Sequence, residues 1–330
     1  MNKTIKEMTT GYLGQSDVEA IKILDSFLPS KLFDAHMHVS HVPIMNREIL
    51  SFSDYLSDMR VFLGNSREIC ANMIPFPTKS VKTDEERKES NDYLLASLKE
   101  HENSVGEILV TPTDSAEYIE SQLNYERIRG LKCYHVYANR EDTFNSGIEE
   151  YLPESAFEVA NKHGLSITLH MVRDKALADE GNRKYIKEMA KKYPNAKLIL
   201  AHAARAFAAW TAIDYIDELR PYANIFCDFS GVCESPAMIA ILKSFGVCRC
   251  MWGTDWPIST LAGKCISLGD TFYWIGENDL RSFKSSTALN SRLVGTESLM
   301  AVREACKLTG LSRTAIEDLF YNTAYNVFKK

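Results

Sequence analysis

Two histidines one residue apart lie in a short apolar run near the N-terminus of the chain. They are His36 and His38, in the segment Leu32-Phe33-Asp34-Ala35-His36-Met37-His38-Val39. In a β-strand, residues two apart point to the same face, so both imidazoles can converge on one point at the end of the strand. Two convergent imidazoles suit a divalent metal ion. Such a pair also occurs on solvated strand faces, so a metal site requires ligands from other strands.

Further candidate ligands follow other apolar runs. His170 comes after Ile-Thr-Leu, His202 comes after Ile-Leu-Ala, and Asp255 lies in a Gly-Thr-Asp turn. Neutral imidazoles with one carboxylate suit zinc, and less exclusively manganese or iron. This donor set leaves a coordination position at which a metal lowers the pKa of water or polarises a substrate oxygen. The carboxylate can accept a proton from that water, and the extra histidine is free for acid–base work.

Eight short apolar runs alternate with charged segments along the chain. They predict strands at residues 32–36, 69–74, 105–110, 131–136, 165–170, 197–202, 224–228 and 247–252. The segments between them have helical character, for example 84–101, 154–163, 182–193 and 210–220. Eight βα repeats predict a (β/α)8 TIM barrel of the α/β class, with the active site at the C-terminal strand ends. An open doubly wound sheet is the alternative, although no glycine-rich nucleotide loop follows the first strand.

The segments outside the repeats are expected to belong to one domain of residues 1–330. Residues 1–30 predict a helical N-terminal extension, and helices at 297–308 and 313–328 are predicted to close the chain. Residues 256–296 predict a long, partly helical excursion after the eighth strand, near the mouth of the barrel.

Length, charge and cysteine content restrict the class of protein. A chain of 330 residues is a normal length for a barrel enzyme. The net charge of −6 comes without a basic patch, so nucleic acid and anionic membranes are poor partners. The sequence has no apolar stretch of about 18 residues and no apolar run typical of a signal peptide. Most of the eight cysteines lie in apolar runs, which predicts buried thiols in a reducing cytoplasm.

The motifs, in their order along the chain, resemble the amidohydrolase superfamily. Within it they resemble the amidohydrolase-related branch that holds aminocarboxymuconate semialdehyde decarboxylase and the dicarboxylate lactonases. The similar pieces are Asp34-Ala35-His36-Met37-His38, His170, Ala201-His202 and Trp252-Gly253-Thr254-Asp255-Trp256-Pro257. The resemblance implies one divalent metal, Zn²⁺ or alternatively Mn²⁺, held by His36, His38, His170 and Asp255. It also implies that His202 is an acid–base or oxyanion-stabilising residue, that the substrate is a small molecule and that the protein is a homodimer.

Two arginines are candidates for binding the substrate. Arg205 lies three residues after His202, where similar lactonases have an arginine that holds a substrate carboxylate. A guanidinium binds a carboxylate through two parallel hydrogen bonds. A surface arginine at the start of a helix explains Arg205 equally well. Arg173, three residues after His170, is a weaker candidate of the same kind.

Residues on the first and fourth strands are further candidates. Tyr134, near the end of the fourth strand, is expected to line the pocket, and Asp34 shares a strand face with His36 and is expected to support that ligand. Binuclear superfamily members use a modified lysine or a glutamate from strand four. Lys132 sits early in the predicted strand, so we expect it to lie too deep to bridge two metals, which favours one metal. Alternatively, Lys132 is a lysine of the barrel interior that pairs with an acid.

Two activities fit this set of residues. The first is hydrolysis of a lactone, ester or amide of a small carboxylated compound, in which metal-activated water attacks the carbonyl, Asp255 takes a proton and His202 steadies the oxyanion. The second is non-oxidative decarboxylation of a small unsaturated or aromatic acid. A barrel that has lost catalysis is a third interpretation, which the intact donor set disfavours. The Gly-Thr-Asp-Trp-Pro turn and the His-x-x-Arg spacing resemble the lactonases, so hydrolysis is preferred.

Overall fold

A ring of eight parallel strands lies at the centre of the described part of the chain, which comprises residues 13–78, 83–276, 278–279 and 291–329 of a computed structural model. Each strand pairs with its neighbours in chain order. The strands are β1 (Lys31–Val39), β2 (Glu68–Pro75), β3 (Val105–Leu109), β4 (Ile128–Cys133), β5 (Ser166–Leu169), β6 (Lys197–Leu200), β7 (Ile225–Asp228) and β8 (Cys250–Met251). The (β/α)8 barrel predicted from the sequence is confirmed.

Backbone hydrogen bonds between β1 and the turn after β8 complete the ring. Ala35 N donates to Trp252 O, and His38 N donates to Trp256 O, each at 3.0 Å. An open doubly wound sheet would leave β1 and β8 apart at its two edges. The contact between them excludes that alternative and places the residues after β8 beside the His-x-His pair.

Helices surround the ring and follow the charged segments between strands. They are Gln15–Asp25, Phe52–Leu63, Asp84–Glu100, Ala116–Ser121, Glu154–His163, Glu180–Lys192, Trp210–Tyr215, Ser235–Phe245, Val294–Leu308, Arg313–Glu317 and Thr323–Lys329. The helices predicted at 84–101, 154–163 and 182–193 are confirmed, with ends that differ by at most two residues. The helices Phe52–Leu63 and Ser235–Phe245 were not predicted.

Local capping explains where several of these helices begin. Ser51 Oγ accepts a hydrogen bond from Asp54 N at 3.1 Å, which satisfies a free amide of the first turn of Phe52–Leu63. Thr83 and Glu86 form a reciprocal capping box, with Thr83 Oγ1 accepting from Glu86 N and Glu86 Oε2 accepting from Thr83 N. The first unpredicted helix therefore carried a readable start signal in Ser51.

The last predicted helix, 313–328, is divided in the structure. Five residues of π-helix, Asp318–Asn322, separate Arg313–Glu317 from Thr323–Lys329. The carbonyl of Leu319 accepts a hydrogen bond from Trp252 N at 3.0 Å. A wider turn of this kind frees backbone carbonyls for other partners, and here the partner is the residue that follows β8.

The predicted excursion after β8 includes a short 3₁₀-helix, Ile258–Thr260, and a sheet that was not expected. Its described part holds a two-stranded antiparallel hairpin of Gly263–Leu268 and Thr271–Gly276. The strand-forming residues Ile266, Phe272, Tyr273 and Ile275 favour this pairing. The rest of the excursion includes residues 277 and 280–290, which lie outside the described residues. The hairpin is thus an unpredicted element of the excursion, and its partly helical character stays a prediction.

The final helix packs its apolar side chains against the early residues of the strands. Ala324, Val327 and Phe328 are buried with Phe33 and Val105. The rings of Phe33 and Phe328 stack with centroids 5.7 Å apart. Burying a side chain of this size contributes about 1.5–3 kcal/mol. This end of the barrel is filled by apolar contacts, and the polar residues of interest lie at the opposite ends of the strands.

Two further properties of the described residues concern the environment of the protein. No helix among them has both the length and the apolar character needed to cross a membrane. All eight cysteines are free, and seven of them are buried, with Cys248 as the exposed one. The prediction that most cysteines are buried thiols is confirmed.

Candidate active site

Polar side chains from four strand ends meet at one rim of the barrel. His36 and His38 belong to β1, His170 follows β5, His202 follows β6 and Asp255 follows β8. The ring centroids of His36 and His38 are 5.1 Å apart. The ring of His202 lies 5.0 Å from that of His36 and 5.0 Å from that of His170. The structure brings these five sequence-predicted residues into one cluster.

The carboxylate of Asp255 faces the two β1 histidines. Its Oδ1 lies 3.2 Å from Nε2 of His38 and 3.7 Å from Nε2 of His36. His38 Nδ1 donates to the carbonyl oxygen of Ile74 at 3.2 Å, so Nε2 of the neutral ring carries a lone pair. Burial lowers the pKa of His38, which favours this neutral ring. Burial alone would raise the pKa of Asp255, but the neighbouring histidines, first His202, hold it at about 2. Two proton acceptors therefore face each other, and a cation between them would remove their repulsion.

Two groups of three donors in the described part of the chain have ligand atoms within 4.8 Å of one another. The first is His36, His38 and Asp255, and the second is His36, His202 and Asp228. His36 faces Asp228 through Nδ1, at 3.1 Å, in an ordinary hydrogen bond. The first group therefore fits a divalent metal better. Neither group contains His170, whose Nδ1 lies 3.2 Å from Nε2 of His202.

Asp34 supports the site through the backbone. Its carboxylate accepts hydrogen bonds from His36 N at 3.0 Å, Thr254 N at 3.0 Å, Thr254 Oγ1 at 2.6 Å and Tyr55 OH at 2.9 Å. Burial raises the pKa of Asp34 to about 7, although the bonds from Thr254 and His36 oppose the shift. The expected support of His36 thus acts on its main chain and on the turn after β8, rather than on its imidazole.

A tight turn after β8 carries Asp255 to the histidines. Asp255 N donates to His36 O at 2.8 Å, and Asp255 itself has a φ of 53°, in the left-handed region. Gly253 lies so close to β1 that a Cβ there would be 3.1 Å from the Cβ of His36 and 3.2 Å from its amide nitrogen. Glycine at 253 permits this approach, which fixes the distance between the carboxylate and the imidazoles.

Residues 202–205 form a left-handed turn at the end of β6. The φ values are 57° for His202, 53° for Ala203, 58° for Ala204 and 55° for Arg205. For residues other than glycine, this conformation costs roughly 1–2 kcal/mol each. Residues three apart in a helical turn lie on the same side. From this strained turn His202 contacts His170 and Arg205 contacts the carbonyl of Arg173, and such strain is concentrated at functional sites.

The two candidate arginines have different environments. The guanidinium of Arg205 donates from Nη1 to the carbonyl oxygen of Arg173 at 2.9 Å and lies over the ring of Phe272, 5.2 Å from its centroid. Among the described residues it forms no ion pair, and burial lowers its pKa. The guanidinium of Arg173 is paired with Asp179 at 2.8 Å. Arg205 thus has donors left for a substrate, whereas the side chain of Arg173 is engaged elsewhere and contributes its carbonyl.

Comparison with protein families agrees with the barrel and its polar rim. A family model described as amidohydrolase matches residues 33–330, which is most of the chain. The chain belongs to the amidohydrolase family. This finding confirms the resemblance inferred from the His-x-His, His, His and Asp pattern.

A curated relative of this amidohydrolase is an L-fucono-1,5-lactonase from Burkholderia ambifaria. The two sequences are 25% identical over 188 residues, which is 52% of this chain and 59% of the lactonase. The chain therefore spans about three fifths of the length of the relative that it matches.

Two solved structures share the fold of this amidohydrolase. An amidohydrolase from Burkholderia multivorans superposes with a TM-score of 0.60 at 13% identity, over 90% of this chain and 99% of that one. A 5-carboxyvanillate decarboxylase from Sphingomonas paucimobilis superposes with a TM-score of 0.55 at 14% identity, over 91% of this chain and 99% of that one. At these identities the likeness establishes the barrel and leaves the reaction open.

Aromatic side chains enclose the polar rim of this amidohydrolase. The ring of Tyr134 lies edge-on to His170, with centroids 4.6 Å apart. Burial raises the pKa of Tyr134, so its phenol is a neutral hydrogen-bond donor near neutral pH. Phe207 stacks on His202 at 5.9 Å and contacts Phe272 of the hairpin at 5.0 Å. Tyr134 therefore lies against the cluster as expected, and the hairpin forms a wall that the sequence did not predict.

Lys132 reaches the site, which corrects the expectation that it lies too deep. Its Nζ is 3.4 Å from Nε2 of His36. β4 begins at Ile128, three residues before the predicted start, so Lys132 is the penultimate residue of the strand. Burial lowers the pKa of Lys132 and, with the nearby lysine as a second cause, lowers that of His36 to about 3. The alternative expectation was that Lys132 pairs with an acid in the barrel interior. Among the described residues, no carboxylate lies within ion-pair distance of Lys132.

Asp228 and Ser230 are site residues that the sequence analysis missed. Asp228 ends β7, and its Oδ2 lies 3.1 Å from Nδ1 of His36. Ser230 Oγ lies 3.3 Å from Nδ1 of His36 and 3.0 Å from Nδ1 of His202. The sequence did indicate Asp228, because it is the polar residue at the end of the predicted strand 224–228. The proposed ligands were chosen for the same position at the ends of their strands. Ser230 follows the strand and carries no comparable signal.

Proposed function

We propose that this amidohydrolase is a metal-dependent hydrolase of a small carboxylated lactone, ester or amide. The contact between His38 Nε2 and Asp255 Oδ1 supports this most, because two acceptors 3.2 Å apart suit a shared cation. The proposed ligands are His36, His38, His170 and Asp255. Imidazoles with one carboxylate favour Zn²⁺, with Mn²⁺ as the alternative. His170 lies outside the two groups of convergent donors, and its Nδ1 faces His202, so it would bind the metal through Nε2.

A bound divalent metal would supply Lewis acidity, which lowers the pKa of water and polarises a carbonyl group. The residues around it would move the protons. Asp255, with its pKa near 2, is ionised at neutral pH and can accept a proton from the attacking water. As the oxygen of this water bonds to the carbonyl carbon, the bond to the leaving oxygen or nitrogen breaks, and the proton passes to the leaving atom.

His202 is suited to proton transfer in this scheme. Its Nδ1 donates to the carbonyl oxygen of Ser230 at 3.0 Å, so Nε2 carries a lone pair in the neutral ring. A lone pair accepts a proton but cannot donate to an oxyanion. We therefore assign His202 as the residue that accepts the proton from Asp255 and then donates it to the leaving group, which is the acid–base role of the two roles that the resemblance implies.

The proposed preference for a substrate that carries a carboxylate is based on Arg205. Among the described residues no carboxylate lies within ion-pair distance of the partly buried Arg205 guanidinium, and an anionic substrate would supply one. Arg205 keeps free donors after its bond to the carbonyl of Arg173, and the neutral phenol of Tyr134, whose ring lies against His170, is a further candidate donor. The lactonase relative favours a lactone among the substrate classes.

Non-oxidative decarboxylation is the second candidate, because a decarboxylase shares the fold over most of both chains. The test is a panel of carboxylated lactones and aromatic acids, with the zinc-loaded protein. Acid release and carbon dioxide release are measured in parallel, with His38→Ala as the inactive control. Acid release from a lactone without carbon dioxide supports hydrolysis. Carbon dioxide release from an aromatic acid, with no lactone turnover, would overturn it.

We also propose a cytoplasmic location and a homodimer. The eight free cysteines, most of them buried, suit a reducing compartment. Size-exclusion chromatography with light scattering tests the homodimer, which predicts about twice the chain mass of 37.3 kDa.

A further inference from the structure

Asp228 and Ser230 connect the rings of His36 and His202 through the Nδ1 atoms of the two rings. Both residues are fully buried. Asp228 Oδ2 lies 3.1 Å from Nδ1 of His36, and Asp228 Oδ1 accepts the Ser230 hydroxyl, Ser230 N at 3.0 Å and His202 N at 3.1 Å. Ser230 Oγ lies 3.0 Å from Nδ1 of His202. One carboxylate therefore contacts the ring of one histidine and the backbone of the other.

The partners of the two rings determine where their protons lie. A carbonyl oxygen only accepts hydrogen bonds, so the bond between His202 Nδ1 and Ser230 O requires a proton on Nδ1. A carboxylate likewise only accepts, so His36 Nδ1 must carry the proton that it shares with Asp228. Asp228 Oδ1 accepts three hydrogen bonds, from the amides of His202 and Ser230 and from the Ser230 hydroxyl, so the carboxylate acts as an acceptor on both of its oxygens.

We propose that Asp228 and Ser230 are positioning residues that hold His36 and His202 in the tautomer with the proton on Nδ1, so that both Nε2 lone pairs face the site. This inference rests on the proposed metal centre for its consequence, since only an unprotonated Nε2 can bind a metal. It assigns no ligand role to Asp228. The same carboxylate holds the amide of His202 at the start of the left-handed turn 202–205, so it also sets the direction of Arg205.

Substitution of the carboxylate by an amide tests this assignment sharply. In Asp228→Asn, the three donors at the Oδ1 position require the amide oxygen there. The amide NH2 must then face His36 Nδ1, which becomes an acceptor, and the proton moves to Nε2. We expect Zn²⁺ affinity to fall about 10- to 100-fold, as for other partners of metal-bound histidines. Ser230→Ala leaves the carboxylate in place, and we expect a loss of about tenfold.

The tautomers can be read directly in the metal-free protein. Nitrogen NMR of ¹⁵N-histidine-labelled protein separates protonated from unprotonated ring nitrogens. The wild type is expected to show protonated Nδ1 and unprotonated Nε2 at His36 and His202, and Asp228→Asn is expected to reverse the assignment at His36. Ser166→Ala is the matched control, because Ser166 is a buried serine that donates to Glu107 elsewhere in the barrel. It should leave both tautomers and the Zn²⁺ affinity unchanged.

The outcomes separate this inference from the proposed function. Protonated Nε2 at His36 or His202 in the wild type overturns the inference, whatever the protein catalyses. Wild-type Zn²⁺ affinity in both Asp228→Asn and Ser230→Ala also overturns it. Absence of Zn²⁺ binding in the wild type, together with the expected tautomers, would overturn the metal centre and leave the positioning role intact.

Discussion

Nε2 of His38 and Oδ1 of Asp255 lie 3.2 Å apart. His38 Nδ1 lies 3.2 Å from the carbonyl oxygen of Ile74, which assigns the proton of the neutral ring to Nδ1 and makes Nε2 an acceptor. Two acceptors at this distance repel each other unless a cation lies between them. Backbone contacts hold the two atoms at this distance. Asp34 accepts hydrogen bonds from the amides of both His36 and Thr254, and so it connects β1 to the turn that carries Asp255. A metal centre accounts for this arrangement at the mouth of the barrel.

Arg205→Met is expected to weaken binding of a carboxylated substrate. A hydrogen bond to a charged group contributes about 1.5–3 kcal/mol, so KM should rise at least tenfold while kcat changes less. The measurement compares KM for a carboxylated lactone with KM for the same lactone without the carboxylate. Arg173→Met is the matched control, because its guanidinium is already paired with Asp179. Equal KM changes in the two variants would contradict the role of Arg205.

Ala204→Gly is expected to stabilise the protein. Ala204 has a φ of 58°, which glycine adopts without the steric cost that alanine bears. The free energy of unfolding should rise by about 1 kcal/mol, measured by denaturant titration. The control is Ala240→Gly in the helix Ser235–Phe245, which should lower stability by about 1 kcal/mol. A loss of stability in Ala204→Gly would mean that the left-handed turn is not the native conformation.

The free energy of unfolding is expected to depend on pH through Glu107. It is fully buried, and burial raises its pKa to about 7 from an unfolded value near 4.5, although the bond from Ser166 opposes the shift. The folded state therefore favours the protonated carboxyl. Stability from this group is complete below about pH 4.5 and is lost as the pH rises to about 7, in total on the order of 3 kcal/mol.

Glu107→Gln removes this loss, because the amide stays neutral. The free energy of unfolding of the variant, minus that of the wild type, should increase between pH 5 and pH 7 and stay constant above pH 7. Urea unfolding at a series of pH values measures it. A difference that does not change with pH would show that Glu107 does not titrate in this range.

The positions of the strands could be predicted because each strand is a short apolar run that ends in a polar residue. His170 and His202 stand directly after such runs, and Asp255 follows one closely. The start of β4 could not be read in the same way. The charged Arg129 interrupts the apolar residues between Ile128 and Leu131, so the strand was predicted to begin at Leu131. Lys132 was therefore placed near the start of the strand, although it is the penultimate residue.

Other parts of the site depend on tertiary contacts that a sequence does not display. Alanines favour right-handed helix, so Ala203 and Ala204 gave no sign of a left-handed turn. The turn includes a contact that the sequence does not display, because Asp228, on another strand, accepts a hydrogen bond from the amide of His202. The hairpin 263–276 was missed because apolar and polar residues do not alternate along either of its strands, GKCISL and TFYWIG.

The zinc content of the protein tests the central claim most directly. The wild type and His38→Ala are loaded with Zn²⁺, freed of excess metal and analysed for bound metal per chain, with His163→Ala as a control at a surface histidine paired with Glu120. A mononuclear centre predicts about one zinc ion per chain in the wild type and in His163→Ala, and less than about a tenth of that in His38→Ala. Equal zinc content in His38→Ala and the wild type would contradict the proposed centre.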